Sequence, residues 1–360
     1  TADFAALTSD RLASLTSTQL GALTTDQLVA LTTQQASAIT ATQVKGFTTA
    51  QLSKLETQDL AVFSTSAVAG LSGAQLSGLT TDEIRSITTA QVSAITATAL
   101  RSLTTAQIQA LTSDQLPELT TAQVNALTTT QIDSLTTAQI SALETADIAK
   151  LSYQQVIALN TAQMPQLTTA QVKAIDATLI QYIETQDLVR LTSDQVGVLT
   201  TAQIQQLSVP QIVSLTTDQT SGLTGTQVAS LTNVQLEAME TADLSTLALS
   251  SEQVGALSNT QLVSLSSEQK ALIGSGMAAS QVAGYLVGTL TNADLGNISA
   301  TTLQGWSAQQ AAGLQVSQIS GLSPAQLQNL STAAVAGLSN PVITAMSAAQ
   351  ISGFTDTQVS

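Results

Sequence analysis

An eight-residue repeat runs through almost the whole chain. Its positions, lettered a to h, follow the consensus Leu, Thr, Thr, Ala/Asp, Gln, Leu/Ile/Val, variable and Ala/Ser/Gly. Position a recurs every eight residues from Leu7 to Leu247 without an insertion, and again from Leu290 to Phe354. One octad buries about two large aliphatic side chains, worth roughly 1.5–3 kcal/mol each, which cannot offset the entropy of ordering eight residues. The repeats must therefore stack on one another, as they do in a solenoid or superhelix.

Within each octad the pattern predicts one very short helix. Position b is mostly Thr or Ser, and position e, three residues later, is mostly Gln, as in Thr104 and Gln107. This spacing is a capping box, in which each side chain bonds the other residue's backbone N–H. A continuous helix is disfavoured, because eight residues turn through about 800° and the apolar stripe would drift by about 80° per repeat. Pro117 and Pro165 at position g limit each helix to about a turn and a half.

These observations predict an all-α solenoid or superhelix of very short helices, one per eight-residue repeat. Positions a and f should face inward, small residues at h should allow close helix contacts, and b, c and g should face outward. Leu127 and Ile132 should thus be buried, and Thr129 and Asp133 exposed. The alternative is a β-solenoid with a corner inside each octad, because Thr-rich sequences favour strands. The pattern does not give the number of helices per superhelical turn.

The repeat phase divides the chain into three parts. Residues 1–247 form a regular octad array, 248–289 an irregular junction containing several glycines, and 290–360 a second array. In the second array, position h is often Gly or Asn, residues that commonly end helices in the left-handed conformation. The single Trp, Trp306, occupies position a and is predicted to be a core residue. Phe4 and Val359 show that both ends lie inside a repeat, so we expect further chain or another molecule to cover them.

Composition excludes several classes of function. The chain has no Cys and no His, and 9 Lys+Arg against 24 Asp+Glu give a net charge of −15. It therefore lacks disulfides, thiolate chemistry and the commonest general base, and we expect no enzymatic activity. Nine scattered basic residues cannot neutralise a run of phosphates, so we expect no nucleic-acid partner. The apolar stretches are too short for a membrane span.

Four octads replace the Thr–Gln pair of positions b and e with a Glu–Asp pair. Two carboxylates three residues apart on a helix repel each other, and a Ca²⁺ ion, which prefers several oxygen ligands, would relieve that repulsion. The alternative is a shifted cap, in which Thr at position c takes over and both acids lie favourably at the helix N-terminus. No other cofactor is expected. The candidate Ca²⁺ ligands are Glu56, Asp59, Glu144, Asp147, Glu184, Asp187, Glu240 and Asp243.

The tandem pattern L-T-T-x-Q-[ILV]-x-A, as in 103–110 and 119–126, resembles repeat regions of very large secreted or surface proteins of Gram-negative bacteria. Those regions are often labelled adhesins or haem utilisation/adhesion proteins. The resemblance implies an extracellular or cell-surface location, although a chain without His or Cys offers few axial ligands for haem. We expect a structural protein that self-assembles into a filament, sheath or surface layer, or alternatively the stalk of a large adhesin. The sequons that begin at Asn297 and Asn329 are candidate sites for glycans.

Overall fold

A computed structural model describes residues 6–238, 257, 261, 287–288 and 290–359. Throughout these ranges the secondary structure is helical and contains no strand, so the all-α prediction is confirmed and the β-solenoid alternative is wrong. Each repeat in the two long described ranges holds one helix of three to six residues. None of these helices is long and apolar enough to cross a membrane. The predicted junction, 248–289, lies outside the described residues except for Leu257, Gln261, Val287 and Gly288.

The helices have the following bounds. The α-helices are Ser9–Ala13, Ser17–Gly21, Thr25–Val29, Thr33–Ser37, Thr49–Leu52, Thr57–Ala61, Thr65–Ala69, Gly73–Ser77, Thr81–Ser86, Thr89–Ala94, Ala97–Leu100, Thr105–Ala110, Thr121–Ala126, Thr129–Ser134, Thr137–Ala142, Thr145–Ile148, Tyr153–Ile157, Thr169–Ala174, Thr185–Leu188, Ser193–Gly197, Thr201–Gln206, Val209–Ser214, Thr217–Ser221, Gly225–Ser230, Asn233–Ala238, Asn292–Gly296, Ala300–Gln304, Ala308–Ala312, Pro324–Leu327, Thr332–Gly337, Asn340–Thr344, Ala348–Ile351 and Asp356–Val359. The 3₁₀ helices are Val44–Gly46, Leu116–Glu118, Met164–Gln166, Ala177–Tyr182 and Val316–Gly321.

The capping box starts most helices, as the sequence predicts. In one repeat the backbone N–H of Gln107 donates to Thr104 Oγ1 at 3.2 Å, and the N–H of Thr104 donates to Gln107 Oε1 at 2.8 Å. The helix ends by position h, and Leu111 at the next a position is extended, with φ −58° and ψ 133°. Where Pro117 and Pro165 occupy position g, the helix shrinks to a three-residue 3₁₀ segment. The sequence of each octad therefore specifies one short helix, which one or two extended residues separate from the next.

Contacts divide the chain into two compact units, Thr1–Ile183 and Glu184–Ser360. Inside each unit, a helix packs against the helix three repeats along the chain. Thr65–Ala69 packs against Thr89–Ala94 in the first unit, and Ser193–Gly197 packs against Thr217–Ser221 in the second. About three octads thus make one turn of a superhelix within each unit. This number depends on packing between distant repeats, and the repeat pattern alone did not give it.

The core of each unit consists of the residues at positions a and f. Ile132, at f, is 0% exposed, and Leu127, at a, is 4% exposed, whereas Thr129 and Asp133 are exposed. The predicted inside and outside positions are therefore confirmed. Trp306 is 1% exposed and belongs to the core of the second unit, so its predicted role as a core residue is also confirmed.

Glycine at position h has a different role from the predicted left-handed helix end. Gly305 and Gly313 have φ values of −82° and −76°, and Asn297 has −96°, so the left-handed prediction is wrong. The chain passes directly from a helical h residue to an extended a residue, and no left-handed residue is needed. Glycine is needed instead where a side chain at position h would be too close to the preceding turn of the superhelix. A Cβ on Gly222 would lie 2.7 Å from the backbone oxygen of Ser193, three repeats earlier, which confirms the close contacts predicted at h.

This crowding predicts different outcomes at two glycines of the second unit. Gly222→Ala should destabilise the protein by about 1–3 kcal/mol, the usual range for overpacking, because the new Cβ would meet backbone atoms of Ser193. Gly296→Ala is the matched control, since its Cβ would lie 3.6 Å from the Gly321 oxygen, an ordinary contact. There alanine should be neutral or stabilise by about 0.4–1 kcal/mol through the unfolded chain. Urea unfolding midpoints measure both effects, and equal midpoints for the two variants would contradict the close-contact role.

Candidate functional site

The glutamine at position e joins each repeat to the preceding turn of the superhelix. Gln123 is 2% exposed, and its Oε1 accepts from the Thr120 N–H at 2.6 Å. Its Nε2 donates to the carbonyl oxygens of Val92 at 2.8 Å and Ile95 at 2.7 Å, which lie 31 and 28 residues earlier. A single amide therefore caps its own helix and satisfies two buried carbonyls in the turn below.

The same pair of bonds recurs through both units, and we call this row of buried or half-buried side chains the glutamine ladder. The octad pattern predicts only a capping role for these glutamines and does not predict their donor role. A signal was present, because a capping box accepts Glu as readily as Gln, yet in the regular arrays Glu occupies position e only at Glu83. Only the amide carries a donor for the carbonyls. The ladder includes Gln43, Gln51, Gln91, Gln107, Gln131, Gln139, Gln155, Gln163 and Gln171 in the first unit and Gln219, Gln227, Gln235, Gln318, Gln350 and Gln358 in the second.

In the Glu–Asp repeats, the structure separates the two carboxylates. Asp59, Asp147 and Asp187 are 1%, 1% and 5% exposed, because position e faces the core. Their partners at position b, Glu56, Glu144 and Glu184, are exposed. Glu56 Oε2 accepts from Gln58 Nε2 at 2.5 Å, and Glu184 makes the same contact with Gln186 at 2.6 Å. The fourth pair, Glu240 and Asp243, lies outside the described residues.

The buried aspartates lack the bonds that the ladder glutamines make. Neither carboxylate oxygen of Asp59 has a hydrogen-bond partner. At Asp147, Oδ2 has none, while the carboxylate accepts from the Thr121 hydroxyl. Glu56 and Glu144 are themselves the N-caps of their helices, and neither makes a side-chain cap bond. The shifted cap considered as the alternative, with the Thr at position c as N-cap, is thus not formed in these repeats.

Burial changes the ionisation of these acids. Burial, with a smaller contribution from the charge of Glu56, raises the pKa of the Asp59 carboxyl to about 6. Burial also raises the pKa of Asp147 and of Asp187, and the neighbouring glutamate adds to both shifts. A buried carboxylate without a partner is unfavourable unless a proton or a cation neutralises it. The described ranges hold no group of three or more Asp, Glu, His or Cys that could form a metal site, so backbone oxygens would have to contribute.

Acids at position e keep the capping box when position b is Thr. The Thr80 N–H donates to Glu83 Oε2 at 2.5 Å, and the Thr291 N–H donates to Asp294 Oδ2 at 2.7 Å. Both threonines also accept from the backbone N–H of the acid. An acid at position e is therefore compatible with a normal cap. Among the described repeats with an acid at position e, the cap is absent only where Glu occupies position b.

Comparison with known protein families supports a repeat architecture. The family described as ALTTAQ repeat matches residues 1–33, 52–89, 84–121, 116–145, 140–176 and 180–217, which together make up more than half of the chain. The Leu-Thr-Thr-Ala-Gln core of that name corresponds to positions a to e of the octad, the segment that forms the cap and supplies the ladder glutamine. The comparison with curated proteins found no match.

Proposed function

This chain belongs to the ALTTAQ repeat family, and we propose that it is an extracellular structural protein whose copies associate into a filament, sheath or surface layer. The observation that carries this proposal is the repetition of one interface from turn to turn. In the first unit Gln123 donates to Val92 and Ile95, and in the second Gln227 donates to Val196 and Leu199, with the same spacings of 31 and 28 residues. The amide donors and carbonyl acceptors that join successive turns within one copy can therefore also join a turn of one copy to a turn of another.

Such a contact between copies is heterologous, since it joins two different faces of the superhelix. Heterologous contacts that do not close into a ring produce fibres. No new surface chemistry is needed, because the interface already exists inside each unit. The proposal is supported by a stack in which every turn binds the next through the same hydrogen bonds.

The outward positions favour lateral contacts as well. Thr105, Thr129 and Thr137, all at position c, are exposed, and only 9% of the chain's residues are charged. Neutral hydroxyl groups can bond between copies without pairing charges. We propose an extracellular or cell-surface location because the chain has no Cys and few Lys and because its repeats resemble those of bacterial surface proteins. The same resemblance suggests a Gram-negative bacterium as the source. We propose no catalytic activity.

Light scattering at increasing protein and salt concentrations tests this proposal. We expect the mean particle mass to rise with protein concentration and to stay high in strong salt. Salt screens the repulsion that a net charge of −15 creates, and it removes little from a neutral interface. A monomer at every concentration would contradict the filament and favour the adhesin stalk, in which binding activity resides in another part of a longer protein.

A further inference from the structure

We propose that the two Glu–Asp repeats that contain Asp59 and Asp147 each bind one Ca²⁺ ion between two turns of the superhelix in the first unit, with the buried aspartate as the anchor. The first observation is the state of Asp59. Its side chain is 1% exposed, and both carboxylate oxygens lack a hydrogen-bond partner. Buried polar groups are nearly always hydrogen-bonded, and a buried charge is nearly always paired or bound to a metal. An unsatisfied carboxylate in this position indicates a ligand.

The ladder register supplies the other oxygen atoms. In the regular repeats, the side chain at position e meets carbonyl oxygens 28 and 31 residues earlier, as Gln91 meets those of Phe63 and Leu60. The same register places the carbonyls of Leu31 and Leu28 opposite Asp59. A carboxylate has no N–H to donate, and aspartate is one carbon shorter than glutamine. Oxygen atoms thus converge from two turns with no hydrogen to join them, and a hard cation fits between them.

Asp147 repeats this arrangement with one more oxygen. The register places the carbonyls of Leu119 and Leu116 opposite it, in the positions that Gln139 uses when it bonds Leu111 and Ile108. The hydroxyl of Thr121 also contacts the Asp147 carboxylate. Oxygen ligands of three kinds, carboxylate, carbonyl and hydroxyl, are typical of Ca²⁺ and not of zinc or copper, which prefer nitrogen or sulfur.

The glutamate at position b explains the preference for a divalent ion. One aspartate balances a single positive charge, and a second carboxylate is needed to balance Ca²⁺. Glu56 lies three residues before Asp59 and is exposed, with its carboxylate on Gln58, so its long side chain can turn toward the ion. Glu occupies position b only in the repeats that have Asp at position e. Glu83 and Asp294, by contrast, retain a threonine cap, so capping alone does not require the pair.

Counting bound Ca²⁺ on the full chain tests the site. After removal of metal with a chelator, equilibrium dialysis against CaCl₂ should show Ca²⁺ bound to the chain. The double variant Glu56→Thr/Asp59→Gln restores the consensus pair and should bind one ion fewer. Its melting temperature in chelator should equal or exceed that of the natural chain, because the cap and the ladder amide are both restored. Glu83→Gln is the matched control: it removes a buried acid from a threonine-capped repeat and should leave the number of ions unchanged.

Three results would overturn the proposal. The first is a natural chain that binds no Ca²⁺ at millimolar concentration. The second is an unchanged number of ions in the double variant. The third is a stability that rises on acidification through pH 6 in the natural chain but not in the double variant, with no effect of Ca²⁺ at neutral pH, since protons would then neutralise Asp59. Scattering on the same samples reports association separately, so failure of the Ca²⁺ site and failure of the filament are distinguishable.

Discussion

Replacing Gln155 with Leu is expected to lower the free energy of unfolding by about 2–6 kcal/mol, because the Ser152 N–H and the Leu127 carbonyl lose their hydrogen bonds to the amide at about 1–3 kcal/mol each. The Val124 carbonyl retains its bond from the Leu127 N–H. Gln155 is 2% exposed, and its Oε1 accepts from the Ser152 N–H at 3.0 Å. Its Nε2 donates to the carbonyls of Val124 at 2.9 Å and Leu127 at 3.0 Å. Leucine has a similar volume and can form hydrogen bonds with none of these groups. The loss of stability therefore measures the contribution of the ladder hydrogen bonds.

The neighbouring residue provides the control. Gln154 is exposed at position d, and Gln154→Leu makes the same chemical change one residue earlier on the same helix. Surface substitutions of this kind usually change stability by less than about 0.5 kcal/mol. Urea unfolding followed by circular dichroism gives both values. If the two variants lost equal stability, the ladder bonds would contribute nothing beyond general effects of a polar-to-apolar change.

The local half of this architecture could be predicted from the sequence, because its bonds join residues only three positions apart. The spacing of Thr104 and Gln107 predicts the capping box, and the box is present at 3.2 and 2.8 Å. The apolar positions a and f predict the core, and Leu127 and Ile132 are buried there. In each case the residues that determine the feature lie within one octad.

The bonds between turns could not be predicted in this way. The carbonyl partners of Gln123 lie 28 and 31 residues earlier, and that register depends on how many octads make a turn. The number of octads per turn depends in turn on how closely h residues such as Gly222 approach the helix three repeats back. The octad pattern contains small residues at h but not the distance they allow, so the donor role of the glutamine did not follow.

The arrangement of the carboxylates in the acidic repeats could not be predicted from their spacing either. Spacing alone places Glu56 and Asp59 three residues apart on one helix, and it leaves two interpretations open, a shared Ca²⁺ ion or a shifted cap. The structure places position b at the surface and position e in the core, so Asp59 is 1% exposed while Glu56 contacts Gln58. Which acid is desolvated depends on the direction in which each position faces. That direction became clear only when the buried side of the helix was known to include position e as well as f.

Leu127→Ala is expected to lower the free energy of unfolding by about 2–5 kcal/mol, the usual range for a truncated core leucine. Leu127 is 4% exposed and extended, with φ −58° and ψ 136°, and it links two successive helices. Alanine retains the backbone carbonyl that accepts from Gln155 Nε2, so the loss measures packing and not the ladder bond. Thr129→Ala, at an exposed position of the next helix, should change stability by less than about 0.5 kcal/mol.

The double variant Leu127→Ala/Gln155→Leu then tests whether core and ladder act together. The two residues touch through the Leu127 carbonyl, and residues in contact usually show interaction energies of about 0.5–3 kcal/mol. We expect the double variant to lose less stability than the two single variants combined, because each change already loosens the same junction between turns. Strict additivity would mean that packing and hydrogen bonding stabilise the turns independently. The ladder bonds of Gln155 would then contribute the same free energy whether or not the core around Leu127 is intact.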